Sequence, residues 1–136
     1  MTTIDLRRLK VLLVDDEAFI RTTIRQILVL VGMPQGNVYE AADVKAALAE
    51  TLRIRPDLVL CDIHMPDGDG FVYVGNLRKA PIPGVAATPV VMLTSDSGEE
   101  AVLTAKELKV SGYLVKPVSI ATVKKAMERA LKATLP

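Results

Sequence analysis

An α/β fold with a parallel sheet covered on both faces is predicted by three observations. Short, continuously apolar runs recur along the chain, segments of helical period alternate with them, and most runs end in polar residues beside turn signals. A strand that is apolar throughout is buried on both sides. Buried strands alternating with amphipathic helices build a sheet with right-handed crossovers and a helix layer on each face. At 136 residues, half of them hydrophobic and 24% charged, the chain is read as one soluble domain spanning 1–136, its core at about 10–131.

The first strand is Lys10-Val11-Leu12-Leu13-Val14, ended by Asp15-Asp16-Glu17. Ile20, Ile24, Ile27 and Val31 then recur at helical spacing with Arg21 and Arg25 between them, and Gly32 and Pro34 close that helix. Residues 37–41 are a weaker strand with partial alternation. Val44, Leu48 and Leu52 mark a second helical stripe, stopped before Pro56. The third strand, Leu58-Val59-Leu60-Cys61, runs into Asp62 and the turn-rich Ile63-His64-Met65-Pro66-Asp67-Gly68-Asp69-Gly70.

Phe71, Val74 and Leu77 form a third stripe, and residues 79–88, with Pro81, Pro83 and Gly84, form a loop. Residues 89–93 are a fourth buried strand ending at Thr94-Ser95-Asp96. A fourth helix is expected over 99–108, with Val102 and Leu103 as its apolar contacts. Residues 112–115 are a short fifth strand ending at Lys116-Pro117. Ser119 can cap a last helix in which Val123, Met127 and Leu131 share a face.

Composition narrows the function classes. A formal net charge of +1 disfavours nucleic-acid and membrane-surface partners. The basic residues Lys124, Lys125, Arg129 and Lys132 read as a solvated face near a helix C-terminus. The one cysteine, Cys61, sits inside an apolar run, rules out an intramolecular disulfide and reads as a buried hydrophobe. With one histidine and one cysteine there is no soft-metal ligand set. The N-terminus has no apolar signal region and no apolar run is long enough to span a bilayer, so a cytoplasmic location is expected.

In a parallel sheet, the residues that end the strands fall on one edge, the edge at which open α/β sheets bind ligands. Asp15, Asp16, Asp62, Thr94 and Lys116 therefore converge. Three neighbouring carboxylates repel one another, and a hard divalent cation such as Mg²⁺, which takes oxygen ligands, relieves this. A carboxylate is a competent nucleophile toward phosphorus, and an ammonium and a hydroxyl suit the charge spread over a transferred phosphoryl group. The set fits phosphoryl transfer to Asp62.

Other motifs fail on spacing. A calcium-loop frame starting at Asp62 or Asp67 puts Tyr73 or Arg78 where the bidentate Glu belongs. Gly68 and Gly70 begin a dinucleotide fingerprint, but Tyr73 occupies its third glycine position, and no Walker A sequence is present. Residues 67–70 read instead as a turn and cap for the third helix.

Val-Asp-Asp-Glu, Asp-Ile-His-Met-Pro-Asp-Gly-Asp-Gly, Leu-Thr-Ser and Val-Lys-Pro, in that order after the first, third, fourth and fifth strands, resemble the receiver domains of two-component response regulators. The likeness runs over about 10–131. It implies a flavodoxin-like (βα)5 doubly wound fold with strand order 2-1-3-4-5. It also implies Asp62 as phospho-acceptor, with Asp15, Asp16, Asp62 and the backbone carbonyl of His64 around a Mg²⁺ ion. Thr94 would be the switch hydroxyl, Lys116 the phosphate-contacting lysine and Tyr113 the rotating aromatic. The Lys116–Pro117 peptide is expected to be cis.

The position of His64, two beyond the acceptor, bears on phosphoryl lifetime in the family; its imidazole could position water or block it. The implied partners are a sensor histidine kinase or histidine phosphotransfer protein upstream. Downstream is a protein target on the face of the fourth helix, fifth strand and fifth helix. With no output domain after the last helix, the chain resembles the single-domain members, which are switches and not turnover enzymes.

Two rivals remain at this stage. A Mg²⁺-dependent aspartyl-phosphate phosphatase of the haloacid-dehalogenase type needs an Asp two residues after its nucleophile, where this chain has His64. A phosphorylation-independent interaction module would not need the full acidic and basic set.

Overall fold

The computed structural model describes residues 2–95 and 108–136. Five strands pair in parallel: β1 Val11–Val14, β2 Val38–Ala41, β3 Leu58–Asp62, β4 Val90–Thr94 and β5 Gly112–Val115. Their order across the sheet is 2-1-3-4-5, the flavodoxin-like order that the resemblance implies. The central strands β1, β3 and β4 are buried along their whole length, which is why they read as unbroken apolar runs.

Successive residues of each strand feed opposite faces. On one face Val11, Leu13, Leu58, Leu60, Val91 and Leu93 pack under Ile24, Ile27 and Leu28 of helix α1, Ala18–Val31, and under Val123 and Met127 of the C-terminal helix, Ile120–Leu131. On the other, Leu12, Val14, Val59, Cys61, Val90 and Met92 meet α2, Val44–Ile54, and α3, Gly70–Arg78. A two-residue antiparallel ladder, His64–Met65 with Gly68–Asp69, links β3 to α3. The helix expected over 99–108 lies almost entirely outside the described residues. Among those described, no helix is long and apolar enough to cross a membrane.

Local chemistry sets the boundaries. Ser119 caps the C-terminal helix as expected, its hydroxyl accepting from the Thr122 amide while the Thr122 hydroxyl accepts from the Ser119 amide. Gly32 ends α1 with φ +126°, and a Cβ there would also meet Leu6 at 2.9 Å. The Lys116–Pro117 peptide is cis, as expected.

Besides a one-turn helix at Pro83–Ala86 inside the expected 79–88 loop, four details depart from the sequence pattern. The buried face of α2 is Val44, Ala47, Thr51 and Ile54, while Leu52 is 54% exposed. At about 100° per residue a strict four-residue spacing drifts about 40° per step, so the stripe 44, 48, 52 rotates off the sheet. Thr51 tolerates burial because its hydroxyl bonds the Ala47 carbonyl and the Tyr73 hydroxyl, each at 2.7 Å.

In α3, Tyr73 joins Val74 and Leu77 in the core and Phe71 is only half-buried. The 67–70 stretch caps two helices, not one: Asp69 accepts from the Val72 amide of α3, whereas Asp67 accepts from Val44 and Lys45 of α2. Finally, packing extends beyond residue 10. Ile4, Leu6 and Leu9 are buried, and the 2–4 segment bonds Thr134.

Candidate functional site

The parallel register brings the strand ends level. Val14 lies opposite Cys61, so Asp15, the next residue, is level with Asp62, which itself lies opposite Leu93. Thr94 lies opposite Val115, and the Lys116 amide donates to the Thr94 carbonyl at 2.7 Å. Side chains far apart in sequence thus meet at one sheet edge. Lys116 Nζ lies 3.1 Å from Asp15 Oδ2 and 3.3 Å from Asp62 Oδ1. Asp15, Asp62 and Thr94 are all buried, and Asp16 is exposed.

The acidic turn is held from several sides. The Asp15 amide donates to the Ala41 carbonyl at 3.1 Å, and Asp15 Oδ1 accepts from the Glu17 amide at 2.9 Å. Arg21 donates to the Asp15 carbonyl at 2.6 Å, and Glu40 grips both Arg21 and Arg25 at 2.8 Å. Arg25 in turn bonds the carbonyls of Gln35 and Val38. That network joins α1 to the β2 strand and fixes the backbone from which Asp15 and Asp16 project. Both guanidinium groups hold the Glu40 carboxyl below its usual range against the opposing effect of burial.

Gly70 sets the other wall. A Cβ built there would lie 2.1 Å from the Asp62 carbonyl oxygen and 2.9 Å from Met92 Cε. The first residue of α3 therefore approaches the backbone of Asp62 as only glycine can, and the Gly70 amide donates to the Ile63 carbonyl at 2.6 Å.

Carboxylate oxygens of Asp15, Asp16 and Asp62 lie within 4.8 Å of one another. On a six-coordinate Mg²⁺ two ligand oxygens stand about 3 to 4 Å apart, so these three side chains fit a hard divalent ion after slight closure. His64 is exposed beside the pocket, and Tyr113 is half-buried against the core on the α2–α3 face.

The sequence matches the family described as the response regulator receiver domain over residues 11–128. The chain belongs to that family. The receiver is 34% identical over 122 residues to the KDP operon transcriptional regulatory protein KdpE of Escherichia coli, covering 90% of this chain and 51% of KdpE. It is 30% identical to chemotaxis protein CheY-3 of Vibrio cholerae, covering 90% of this chain and 92% of that protein.

Among solved structures, Vibrio cholerae CheY4 superposes with a TM-score of 0.80 to 0.81 at 34% identity, covering 90% of the receiver and 98% of CheY4. A putative response regulator from Chloroflexus aurantiacus gives 0.81 at 25%, covering 92% and 99%. The receiver thus spans about half of KdpE and 42% of the probable transcriptional regulator ycf27 of Porphyridium aerugineum.

Receiver domains are two-component signalling switches that bind Mg²⁺ at an acidic pocket, and the electrostatics here suit one. Burial, then the charge of Asp15, raises the Asp62 carboxyl above its ordinary value, against Lys116 and the His64 backbone amide. Burial disfavours the Lys116 ammonium. The hydrogen bond to Asp15 and the charges of both aspartates outweigh this and hold its pKa above the usual lysine value.

The folded receiver therefore binds the Asp62 proton more tightly than the unfolded chain, so stability from this group is full below about pH 3.9 and is lost as pH rises through the folded value. Without divalent metal, Asp62→Asn is expected to be more stable than wild type at pH 7, with Lys116 still paired to Asp15. Thermal melts across pH check this. A variant that melts no higher than wild type at pH 7, or an advantage that grows on acidification, contradicts it.

Residues that only the folded chain points to are Arg21, Glu40 and Gly70. Arg21 and Arg25 read in sequence as the polar side of α1, with nothing to mark a shared partner. Gly70 reads as a turn residue.

Proposed function

We propose that this receiver accepts a phosphoryl group on Asp62 from a histidine kinase or histidine phosphotransfer protein. The observation that carries the reading is the contact of Lys116 Nζ with both Asp15 and Asp62 at a buried sheet edge ringed by a third carboxylate. A carboxylate oxygen of Asp62 attacks the phosphorus, the bond from phosphorus to the donor histidine nitrogen breaks with its electron pair on nitrogen, and an acyl phosphate forms.

Asp15, Asp16 and Asp62, with the His64 backbone carbonyl, are the residues that would hold Mg²⁺. Bound there, the ion supplies charge neutralisation for the carboxylates and the phosphoryl oxygens. Lys116 exchanges part of its carboxylate contact for the phosphoryl oxygens, and the Thr94 hydroxyl donates to them. Drawing Thr94 and Lys116 inward pulls on the ends of β4 and β5 and changes how Tyr113 packs. A local charge event then biases two packed states of the face built around β5 and the C-terminal helix, where a downstream protein binds. The chain works in the cytoplasm as a switch.

Phosphotransfer from a panel of histidine kinases with Mg²⁺, wild type against Asp62→Asn, tests the assignment. Wild type is expected to take up base-labile phosphate to about one per chain and the variant none; equal uptake by the variant refutes Asp62 as acceptor.

A further inference from the structure

A second concave feature lies at the opposite end of the sheet. It is a cavity of about 650 Å³ beside the residues that open β4 and β5, Pro89 and Ser111, within the size range of about 300–1,000 Å³ typical of small-molecule sites. At roughly 3.3 Å per strand residue, the five residues of β4 separate it from Thr94 by about 16 Å. The acidic pocket and this cavity share no residue.

Its charge is one-sided. Among the described residues that line it, Arg78, Lys109 and Lys132 are the charged ones and none is an acid. Among the described residues none of these three cations has an ion pair. Arg78 is spent on carbonyls: Nε donates to Leu108, Nη1 to Ala86 and Thr88, and Nη2 to Lys109, at 2.7 to 3.2 Å. Among the described residues, four of the five guanidinium N–H groups are thereby used and the fifth has no acceptor. Carbonyls satisfy hydrogen bonds but carry no net charge, so the half-buried guanidinium is uncompensated and burial pushes its pKa down.

A clamp between 86–88 and 108–109 explains Arg78 but requires neither an open cavity nor two further cations at its rim. Lys132 at the end of its helix is favoured by the helix dipole. Lys109 follows directly on the helix expected over 99–108, and both lysines sit at left-handed backbone positions, φ 56° and 51°. The remaining wall, with Pro83, Pro89 and Leu108, is apolar.

We propose that this cavity binds an organic phosphate, a dianionic phosphate ester on an aromatic or apolar body of mononucleotide size. Two compact ammonium charges and one guanidinium N–H suit the phosphate, and the proline–leucine wall takes the body. The inference stands apart from the acceptor role of Asp62.

The test is an amide-shift titration of the ¹⁵N-labelled receiver in chelator, with adenosine 5′-monophosphate, phenyl phosphate, adenosine and inorganic phosphate. Lys109→Gln/Lys132→Gln is the matched variant, and both side chains are exposed, so it folds. The two esters are expected to shift Leu108, Lys109, Ser111 and Val90 saturably, with adenosine, inorganic phosphate and the double variant each binding at least about tenfold more weakly. The proposal is overturned by any of three results. These are no saturation by either ester up to about 10 mM, inorganic phosphate binding as well as the esters, or a double variant that binds like wild type.

Discussion

Gly70→Ala is expected to destabilise the receiver by about 3 kcal/mol and to weaken its hold on divalent metal. Two opposing effects decide the sign. Alanine is the better helix former by up to about 1 kcal/mol, and Gly70 is the first residue of α3. Against this, the new Cβ would stand 2.1 Å from the Asp62 carbonyl oxygen and 3.0 Å from the Asp62 carbonyl carbon. The obstacle is backbone, so it cannot swing aside as a flexible side chain could.

Relief requires moving either α3 or the end of β3, and β3 is hydrogen-bonded on both edges, to β1 and β4. The clash therefore wins and Asp62 is displaced from Lys116. At Gly75, on the same helix, an added Cβ would meet nothing within 4 Å beyond its chain neighbours and its own helix backbone, so Gly75→Ala is the control and gains the propensity term alone. Urea unfolding and Mg²⁺ titration of both variants measure the difference. A Gly70→Ala protein within about 0.5 kcal/mol of wild type would show the approach to be soft.

Lys116→Met has the second large effect. Its ammonium is the one cation in contact with Asp15 and Asp62 among the described ion pairs, and the carboxylates are 1% and 7% exposed. Taking away one partner of a buried pair leaves uncompensated charge, a loss of up to about 3–5 kcal/mol. The lysine here is partly solvated, and Asp62 can take up a proton, which brings the expected cost to about 2–4 kcal/mol at pH 7 without metal.

The pH dependence carries the sign. Loss of Lys116 removes the influence that lowers the Asp62 pKa, so the folded value rises further and the variant regains stability on acidification below that value. Millimolar Mg²⁺ should also restore part of the loss, since the ion supplies charge to the same carboxylates and binds the folded state alone. Denaturation curves at pH 7 and pH 5, with and without Mg²⁺, read all three effects. Equal stability of variant and wild type under every condition would mean that Lys116 is not what balances the aspartates.

The element types were legible because buried parallel strands and amphipathic helices leave different periods in a chain. β1, β3 and β4 need apolar residues on both faces, and the runs at 11–14, 58–61 and 90–93 have no other economical reading. Asp15, Asp62, Thr94 and Lys116 were legible as a group for a related reason: each ends a strand, and in a parallel sheet all strand ends of one sense share an edge. Strand order was not in the periodicity and came with the family resemblance.

The sequence by itself determined the alternation of strands and helices, the apolar core of each strand and the residue types gathered at one edge. These follow from local period and from the geometry common to every parallel sheet. Tertiary structure alone decided which face of α2 is buried, where Thr51 displaces Leu52 because Tyr73 supplies a partner for its hydroxyl. It also decided that Asp67 caps α2 across 22 or more residues, that Arg21 holds the Asp15 carbonyl, and that Gly70 must lack a Cβ beside Asp62. Each depends on a contact between segments distant in sequence, and no local period records such a contact.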